Sequence, residues 1–118
     1  MDIELQEKLV NHFPKLYKFS KSFDCGNGWF DLIWELSKKL EELIEPWIEE
    51  GSNSYATQVK EKYGTLRFYM SCETEEMSSL IAESEKKSSE TCEVCGNPGT
   101  LDGVTYWLAT HCEEHRRK

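Results

Sequence analysis

The chain has 118 residues, of which 38% are hydrophobic and 31% charged, a composition typical of one globular domain with a modest core. Four tryptophans and an aromatic content of 12% exclude a disordered polar chain. The formal net charge of −8 disfavours nonspecific binding to nucleic acid, because a protein this acidic is repelled by phosphate backbones.

The first predicted element is a short helix. Apolar residues at near-helical spacing run over residues 3–13, and Pro14 ends or redirects the segment. The turn cluster DCGNG (24–28) follows, in which Asp24 or Asn27 can cap the next helix. Its Gly-x-Gly sequence lacks the third glycine, the lysine and the preceding strand of a phosphate loop, so helix capping is the better interpretation.

An amphipathic helix is predicted over residues 29–48, where apolar residues recur at steps of three and four. Pro46 should kink or end this helix, and Gly51 marks its stop. Residues 25–54 carry a net charge of −5, so the acidic helix face is either simply solvated or imitates a nucleic-acid backbone to meet a basic host protein. That face contains Glu35, Glu41, Glu42, Glu45, Glu49 and Glu50.

Residues 55–70 change to a period of two and predict a β-hairpin with its turn at 62–65. The set predicted to pack on the long helix is Tyr55, Val59, Leu66, Phe68 and Met70.

The other face of this hairpin is predicted to be cationic. Its candidate binding residues are Lys60, Lys62, Arg67 and Tyr69, in line with Gln58. Two interpretations remain open for it. It is either an ordinary solvated face, as most antiparallel sheets have, or a contact surface for phosphate or for an acidic partner.

The C-terminal third begins with a helix over residues 74–90, for which Thr74 is the expected N-cap. After a turn at Asp102-Gly103, residues 104–109 form a β-prone run that predicts a strand.

Cys92 and Cys95 form a C-x2-C pair, and after sixteen intervening residues Cys112 and His115 repeat the spacing. Two intervening residues let one tight turn present both side chains to a single ion, with Gly96 shaping the first turn. Thiolate and imidazole ligands together favour Zn2+ in a tetrahedral site. The alternatives are reduced structural cysteines or a disulfide pair, which two matching pairs at this separation disfavour.

We expect this zinc to be structural and the protein not to be an enzyme. A catalytic zinc keeps one position open, whereas three thiolates and an imidazole fill all four. His111 directly precedes Cys112 and is an alternative fourth ligand, although His115 matches the first pair better. Glu113 and Glu114 are interpreted as solvated surface residues.

Two cysteines lie outside this pattern. Cys25 and Cys72 are each expected to pack as a small buried thiol. The odd cysteine count and the clustering of three with a histidine fit a reducing compartment, and no signal peptide or membrane-spanning run is visible. We therefore expect a cytoplasmic location and no membrane partner.

Three sequence blocks together resemble a group of uncharacterised small bacterial and bacteriophage proteins. They are GWFDLI (28–33), QVKEKYGTLRFY (58–69) and TCEVCGNPG (91–99), followed by a tryptophan-containing strand and C-x2-H. The resemblance spans about residues 25 to 115 and implies a zinc-binding protein of phage or prophage origin. It brings no catalytic residues. His111 departs from the apolar residue expected before the second cysteine pair.

The predicted fold is α+β, with N-terminal helices packed on a β-hairpin and a C-terminal Cys3His lobe like a zinc ribbon or treble clef. Residues 1–118 are expected to form a single domain, with a core at 1–90 and the zinc-binding lobe at 91–118.

The leading functional hypothesis is a protein-interaction module, acting as a phage accessory factor on a host protein. The alternative is a nucleic-acid-binding zinc protein that uses the hairpin cations and the basic tail (115–118), and a zinc hydrolase is the third class.

Overall fold

The computed structural model describes residues 1–44, 54–104 and 107–116, which form three helices and two small sheets. The elements are α1 (Ile3–His12), β1 (Phe23–Asp24), a 3-10 turn (Asn27–Trp29), α2 (Phe30–Ile44), β2 (Ala56–Lys62), β3 (Thr65–Met70), α3 (Glu75–Ser88), β4 (Thr100–Val104) and β5 (Trp107–His111). One sheet has the order β1-β2-β3 and the other pairs β4 with β5. The predicted α+β class is confirmed.

The core joins the helices to one face of the three-stranded sheet. Trp29, Tyr17 and Phe23 are the largest fully buried side chains. Buried residues of α1 and α2 share one cluster with buried residues of β2 and β3. None of the helices in the described part of the chain has the length and apolar composition needed to span a bilayer.

The start of α2 differs from the prediction. A 3-10 turn precedes the helix. The N-cap of this turn is Gly26, which has no side chain that could cap it. The Asn27 Oδ1 instead accepts a hydrogen bond of 2.8 Å from the Asp2 backbone N–H. The expected cap from Asp24 or Asn27 is therefore wrong. The predictions for Pro46 and Gly51 lie outside the described residues.

The predicted hairpin is confirmed. Tyr63 and Gly64 form its two-residue turn with φ values of 54° and 85°, as a type I′ turn requires. The register is irregular between Ala56 and Gln58, so Ala56 lies in the core and Thr57 is exposed. The predicted alternation of inward-facing and outward-facing side chains is therefore shifted by one residue before the irregularity, because a bulge adds one residue to the strand.

Helix α3 covers the outer edge of β3. The Leu66 N–H donates to the Ser88 Oγ at 2.8 Å, and the Phe68 N–H donates to the Glu85 Oε2 at 3.0 Å. The helix begins as predicted, with the Thr74 hydroxyl accepting from the Met77 N–H at 3.2 Å. Two side chains thus satisfy backbone donors that an uncovered edge strand would expose to other chains.

The C-terminal hairpin is longer than predicted. Strand β4 pairs antiparallel with β5, from Thr100 opposite His111 to Val104 opposite Trp107. The expected turn at Asp102-Gly103 is wrong, because both residues lie within β4 and Gly103 adopts a φ of 128°. The run predicted as one strand contains the end of β4 and the start of β5.

Candidate metal centre

Four side chains from two turns meet at the C-terminal lobe. Cys92 and Cys95 lie in the knuckle, residues 92–97, between α3 and β4. Cys112 directly follows β5, and His115 lies in the next turn, where its backbone N–H donates to the Cys112 carbonyl at 3.1 Å. Their ligand atoms all lie within 4.8 Å of one another, so the pairing of β4 with β5 brings the second pair of ligands to the first.

The knuckle is held by its own backbone. The Cys92 N–H donates to the Asn97 carbonyl at 2.7 Å, and the Gly96 N–H donates to the Cys92 carbonyl at 2.9 Å. Gly96 has a φ of 85°, a conformation that a residue without a Cβ adopts at little cost. This closed turn places the Cys92 and Cys95 sulfurs on the side that faces Cys112.

Three separations among the four atoms are close to those around a tetrahedral ion. A zinc–sulfur bond of about 2.3 Å and a zinc–nitrogen bond of about 2.0 Å imply edges of about 3.8 Å between sulfurs and about 3.5 Å from sulfur to nitrogen. The Cys95 and Cys112 sulfurs are 3.6 Å apart, and the His115 Nδ1 lies 3.7 Å from the Cys92 Sγ and 3.2 Å from the Cys112 Sγ. A disulfide would require about 2.0 Å between sulfurs, so the donors are arranged for a shared ion.

The surroundings of Cys92 favour its thiolate form. Burial works to raise the pKa of this thiol, but backbone N–H groups of Cys112, Cys95 and Val94 outweigh burial and lower the pKa to about 6. A metal ion binds the thiolate and not the thiol. The backbone therefore prepares this sulfur for coordination.

His111 lies outside the cluster. It is the last residue of β5 and pairs with Thr100 across the hairpin, whereas the His115 ring is the imidazole that contacts the sulfurs. Glu113 and Glu114 are exposed and also lie outside the group of potential ligands. The geometry favours His115 as the fourth ligand.

Comparison with known proteins gives no relative from which a role could be transferred. No protein-family model, curated protein or solved structure matches the chain. The resemblance to small phage proteins stays a prediction, and the chemistry of the centre must be inferred from its own geometry.

The knuckle is docked on the glycine loop, residues 26–28, which precedes α2. The Gly28 N–H donates to the Glu93 carbonyl at 2.7 Å, and the Gly26 N–H donates to the Glu93 carboxylate at 2.8 Å. The buried indole of Trp29 donates to the Thr91 carbonyl at 2.8 Å. Sequence reasoning interpreted this loop as a helix cap and missed its contact with the metal lobe. The repeated glycines beside a tryptophan were the available signal.

A second contact joins the lobe to the tip of the β2–β3 hairpin. The buried Thr110 hydroxyl donates to the Gly64 carbonyl at 2.7 Å. A Cβ on Gly64 would lie 2.4 Å from the Leu101 side chain and 2.9 Å from the Ala109 backbone nitrogen. The glycine loop and the turn of the β2–β3 hairpin thus both contact the metal lobe at a glycine.

The structure also brings the predicted binding residues together. Gln58 lies opposite Tyr69, Lys60 opposite Arg67 and Lys62 opposite Thr65, so all six share the sheet face opposite the core; we call this the hairpin face. Arg116 of the predicted basic tail is engaged elsewhere, since its Nε and Nη2 donate to the Asp102 carboxylate at 3.0 and 2.7 Å. Residues 117 and 118 lie outside the described residues.

The two remaining cysteines differ. Cys25 is buried as predicted, and burial, followed by the nearby Glu93 charge, raises the pKa of its thiol to about 12. Cys72 is exposed, so the prediction of a second buried thiol is wrong. Cys72 follows β3 in the short connection to α3, which leaves its side chain outside the core.

Cys72 is therefore expected to be the one rapidly reacting thiol of the metal-loaded protein, because Cys25 is buried and protonated and the other three sulfurs would be coordinated to the ion. A time course with a chromogenic disulfide reagent, followed by peptide mapping, would measure this. The variant Cys72→Ser should lose the fast phase. A fast phase that survives in that variant would contradict the assignment.

Proposed function

We propose that the protein is a non-enzymatic, zinc-stapled protein-interaction module of the cytoplasm. The observation that carries the zinc assignment is the donor set: three sulfurs and one imidazole nitrogen lie within 4.8 Å of one another, and three of their separations, 3.2, 3.6 and 3.7 Å, are close to the edges of a zinc tetrahedron. Zinc, and not a harder cation such as Mg2+ or Ca2+, is the expected ion because thiolates are soft ligands. A knuckle, a two-stranded hairpin and a second turn also support a zinc-ribbon arrangement.

The proposed role of the zinc is structural. Three thiolates neutralise the charge of the ion, and the fourth position is filled by His115, which leaves no coordination site for water or substrate. The contacts of the knuckle with the glycine loop give the ion a second function in folding. It fixes the lobe that supports α2 and the hairpin tip.

Cobalt substitution tests this role. Co2+ in a closed site with three sulfurs should give intense tetrahedral d–d bands that azide or cyanide leaves unchanged. The variant His115→Gly should open one position and make the spectrum sensitive to azide. A spectrum of the unaltered protein that shifts with azide would show an open site and favour a hydrolase.

The interaction role is supported by the composition of the hairpin face. Arginine and tyrosine are enriched in protein interfaces, and Tyr69 and Tyr63 leave 43% and 55% of their surfaces exposed on and beside this face. Phe19, 70% exposed and in edge contact with Tyr55, adds apolar surface near the other end of the same hairpin. The proposed partner is a host protein, which this chain would engage as a phage accessory factor.

Affinity capture from a lysate of the source organism tests this role. Wild-type protein should retain a partner that the metal-site variant Cys92→Ser loses, while the surface variant Cys72→Ser keeps it. Equal recovery with Cys92→Ser would show that the folded lobe is not needed and would overturn the proposal.

The nucleic-acid alternative is favoured by one observation, that exposed tyrosines accompany the hairpin cations, since bases stack on aromatic rings. It predicts binding to single-stranded DNA or RNA that falls steeply with salt. The ion pair of Arg116 with Asp102 removes one cation from the predicted tail and weakens this alternative.

A further inference from the structure

The hairpin face contains two positively charged residues directly beside each other. Lys60 and Arg67 lie directly opposite each other on adjacent strands, where side chains start about 5 Å apart at their Cβ atoms. Like charges at such positions destabilise a hairpin. Asp24 of β1 is the next residue in the same row, opposite Lys60. One carboxylate therefore accompanies two cations.

None of these charges is paired within the part of the chain that the structure describes. The Lys60, Arg67 and Asp24 side chains take no part in the ion pairs of Lys87 with Glu83 and of Arg116 with Asp102. Lys62, the third cation of the face, contacts the Tyr63 ring, with 5.4 Å from its Nζ to the ring centroid. The face thus offers positive charge that the protein itself does not neutralise.

Arg67 adds an observation of a different kind. Its Nε is buried and, among the described residues, has no hydrogen-bond partner, although the side chain as a whole is half-buried. A buried N–H of a charged group without an acceptor is costly, and native proteins retain few of them. The Nε is therefore enclosed without an internal acceptor, while the half-buried side chain leaves part of its guanidinium accessible to an external anion.

We infer that the hairpin face docks an acidic segment of a partner protein, with Lys60 and Arg67 holding its carboxylates. This inference rests on the proposed interaction role and names the chemistry of the partner. Arginine binds planar carboxylates through two parallel N–H donors, and Tyr69 and Gln58 add neutral hydrogen-bonding groups in the neighbouring row.

A protein partner fits better than a nucleic acid because of the charge around the face. Three cations occupy two strands of six and seven residues, while the whole chain carries a net charge of −8. A nucleic acid long enough to fill a binding site would extend past these cations and be repelled by the net negative charge of the chain. A short acidic peptide can place its carboxylates beside Lys60 and Arg67 without extending past them.

The test uses two probes, a hexaglutamate peptide and a 15-nucleotide oligothymidylate, each titrated into metal-loaded, 15N-labelled protein at low salt. Hexaglutamate should shift amide resonances of residues 58–69, and the double variant Lys60→Gln/Arg67→Gln should weaken its binding at least about tenfold, as expected for loss of charge-assisted hydrogen bonds. The matched control Lys86→Gln/Lys87→Gln removes the same charge from exposed positions of α3 and should bind as wild type.

Three results would overturn the inference: no binding of hexaglutamate, equal weakening in the control variant, or tighter binding of oligothymidylate, which would favour nucleic acid. Because Arg67 is half-buried, Lys60→Gln alone is measured as well and should retain the folded spectrum with reduced peptide affinity. A lysate partner that the double variant captures as well as wild type would overturn this docking site and leave the interaction role standing. Binding of hexaglutamate without any captured partner would leave this docking site standing and overturn the interaction role.

Discussion

Removal of the metal ion is expected to unfold residues 91–116 and to lower the free energy of unfolding of the whole protein by at least about 5 kcal/mol. In small zinc domains the binding free energy of the ion is folding free energy, about 10 kcal/mol or more at neutral pH. The stability of a domain of this size is about 5–15 kcal/mol, so the apoprotein should lose the lobe outright.

The loss should extend beyond the lobe because the knuckle supplies acceptors to the core. Gly28 donates to the Glu93 carbonyl, and the Trp29 indole donates to the Thr91 carbonyl. Once the knuckle unfolds, these buried or half-buried donors face water or remain unpaired, at a cost of about 1–3 kcal/mol for each that stays buried. Hydrogen exchange should therefore accelerate at residues 26–29 as well as at 91–116.

The measurement is hydrogen exchange by mass spectrometry, with urea unfolding followed by circular dichroism, before and after treatment with a strong chelator. Cys92→Ser should match the chelated wild type, and Cys72→Ser should match the loaded wild type, because Cys72 is exposed and distant from the ligands in sequence. Unchanged exchange and an unchanged unfolding midpoint after complete metal removal would mean that the ion is not structural.

Local chemistry made much of this molecule predictable. The β2–β3 hairpin follows from alternation around a turn that contains Gly64, which tolerates positive φ, and α3 follows from its N-cap and acidic first turn. The ligand set follows from two pairs with the same two-residue spacing. Each of these signals lies within a few residues of the structure that it specifies, and the structure brings the four ligand side chains together.

The features that sequence reasoning missed depend on contacts between distant residues. Asp102-Gly103 has the composition of a turn, yet pairing of β4 with β5 holds it extended. The irregularity at Ala56 moves this small side chain into the core, although it was not in the predicted packing set. The role of the glycine loop is set by residues 91–96, more than sixty positions away. Propensity cannot show such contacts, because tertiary packing decides them.

The two glycine contacts also explain how a lobe of about 25 residues can support a larger core. The knuckle meets the backbone before α2, and β5 meets the turn of the β2–β3 hairpin. At both contacts the glycine lies so close to the lobe that a Cβ would collide with it, with backbone atoms at Gly28 and with the Leu101 side chain and the Ala109 backbone at Gly64. A metal ion at this centre would thereby fix the position of the hairpin whose outer face carries the proposed docking site.

Gly28→Ala is expected to destabilise the protein by about 3 kcal/mol, the upper part of the range for overpacking a well-packed site. A Cβ at this position would lie 2.1 Å from the Cys92 carbonyl oxygen and 2.6 Å from the Gly96 nitrogen, both of them backbone atoms of the knuckle. Since neither atom can rotate away, the knuckle must separate from the loop. The hydrogen bond from Gly28 to the Glu93 carbonyl would be lost with it. Urea unfolding of the metal-loaded variant measures the loss.

Two variants distinguish docking from a general effect of loop substitution. Asn27→Ala changes an exposed neighbour that makes one exposed hydrogen bond with Asp2 and should cost less than about 1 kcal/mol. Gly96→Ala should cost about 1–2 kcal/mol, because it forces a side chain into a φ of 85° with its nearest contact at 3.1 Å. Gly28→Ala should also weaken metal binding in competition with a chelator, since undocking leaves the knuckle less stable. Wild-type stability of Gly28→Ala, or a smaller loss than in Gly96→Ala, would show that the knuckle does not rest on the glycine loop.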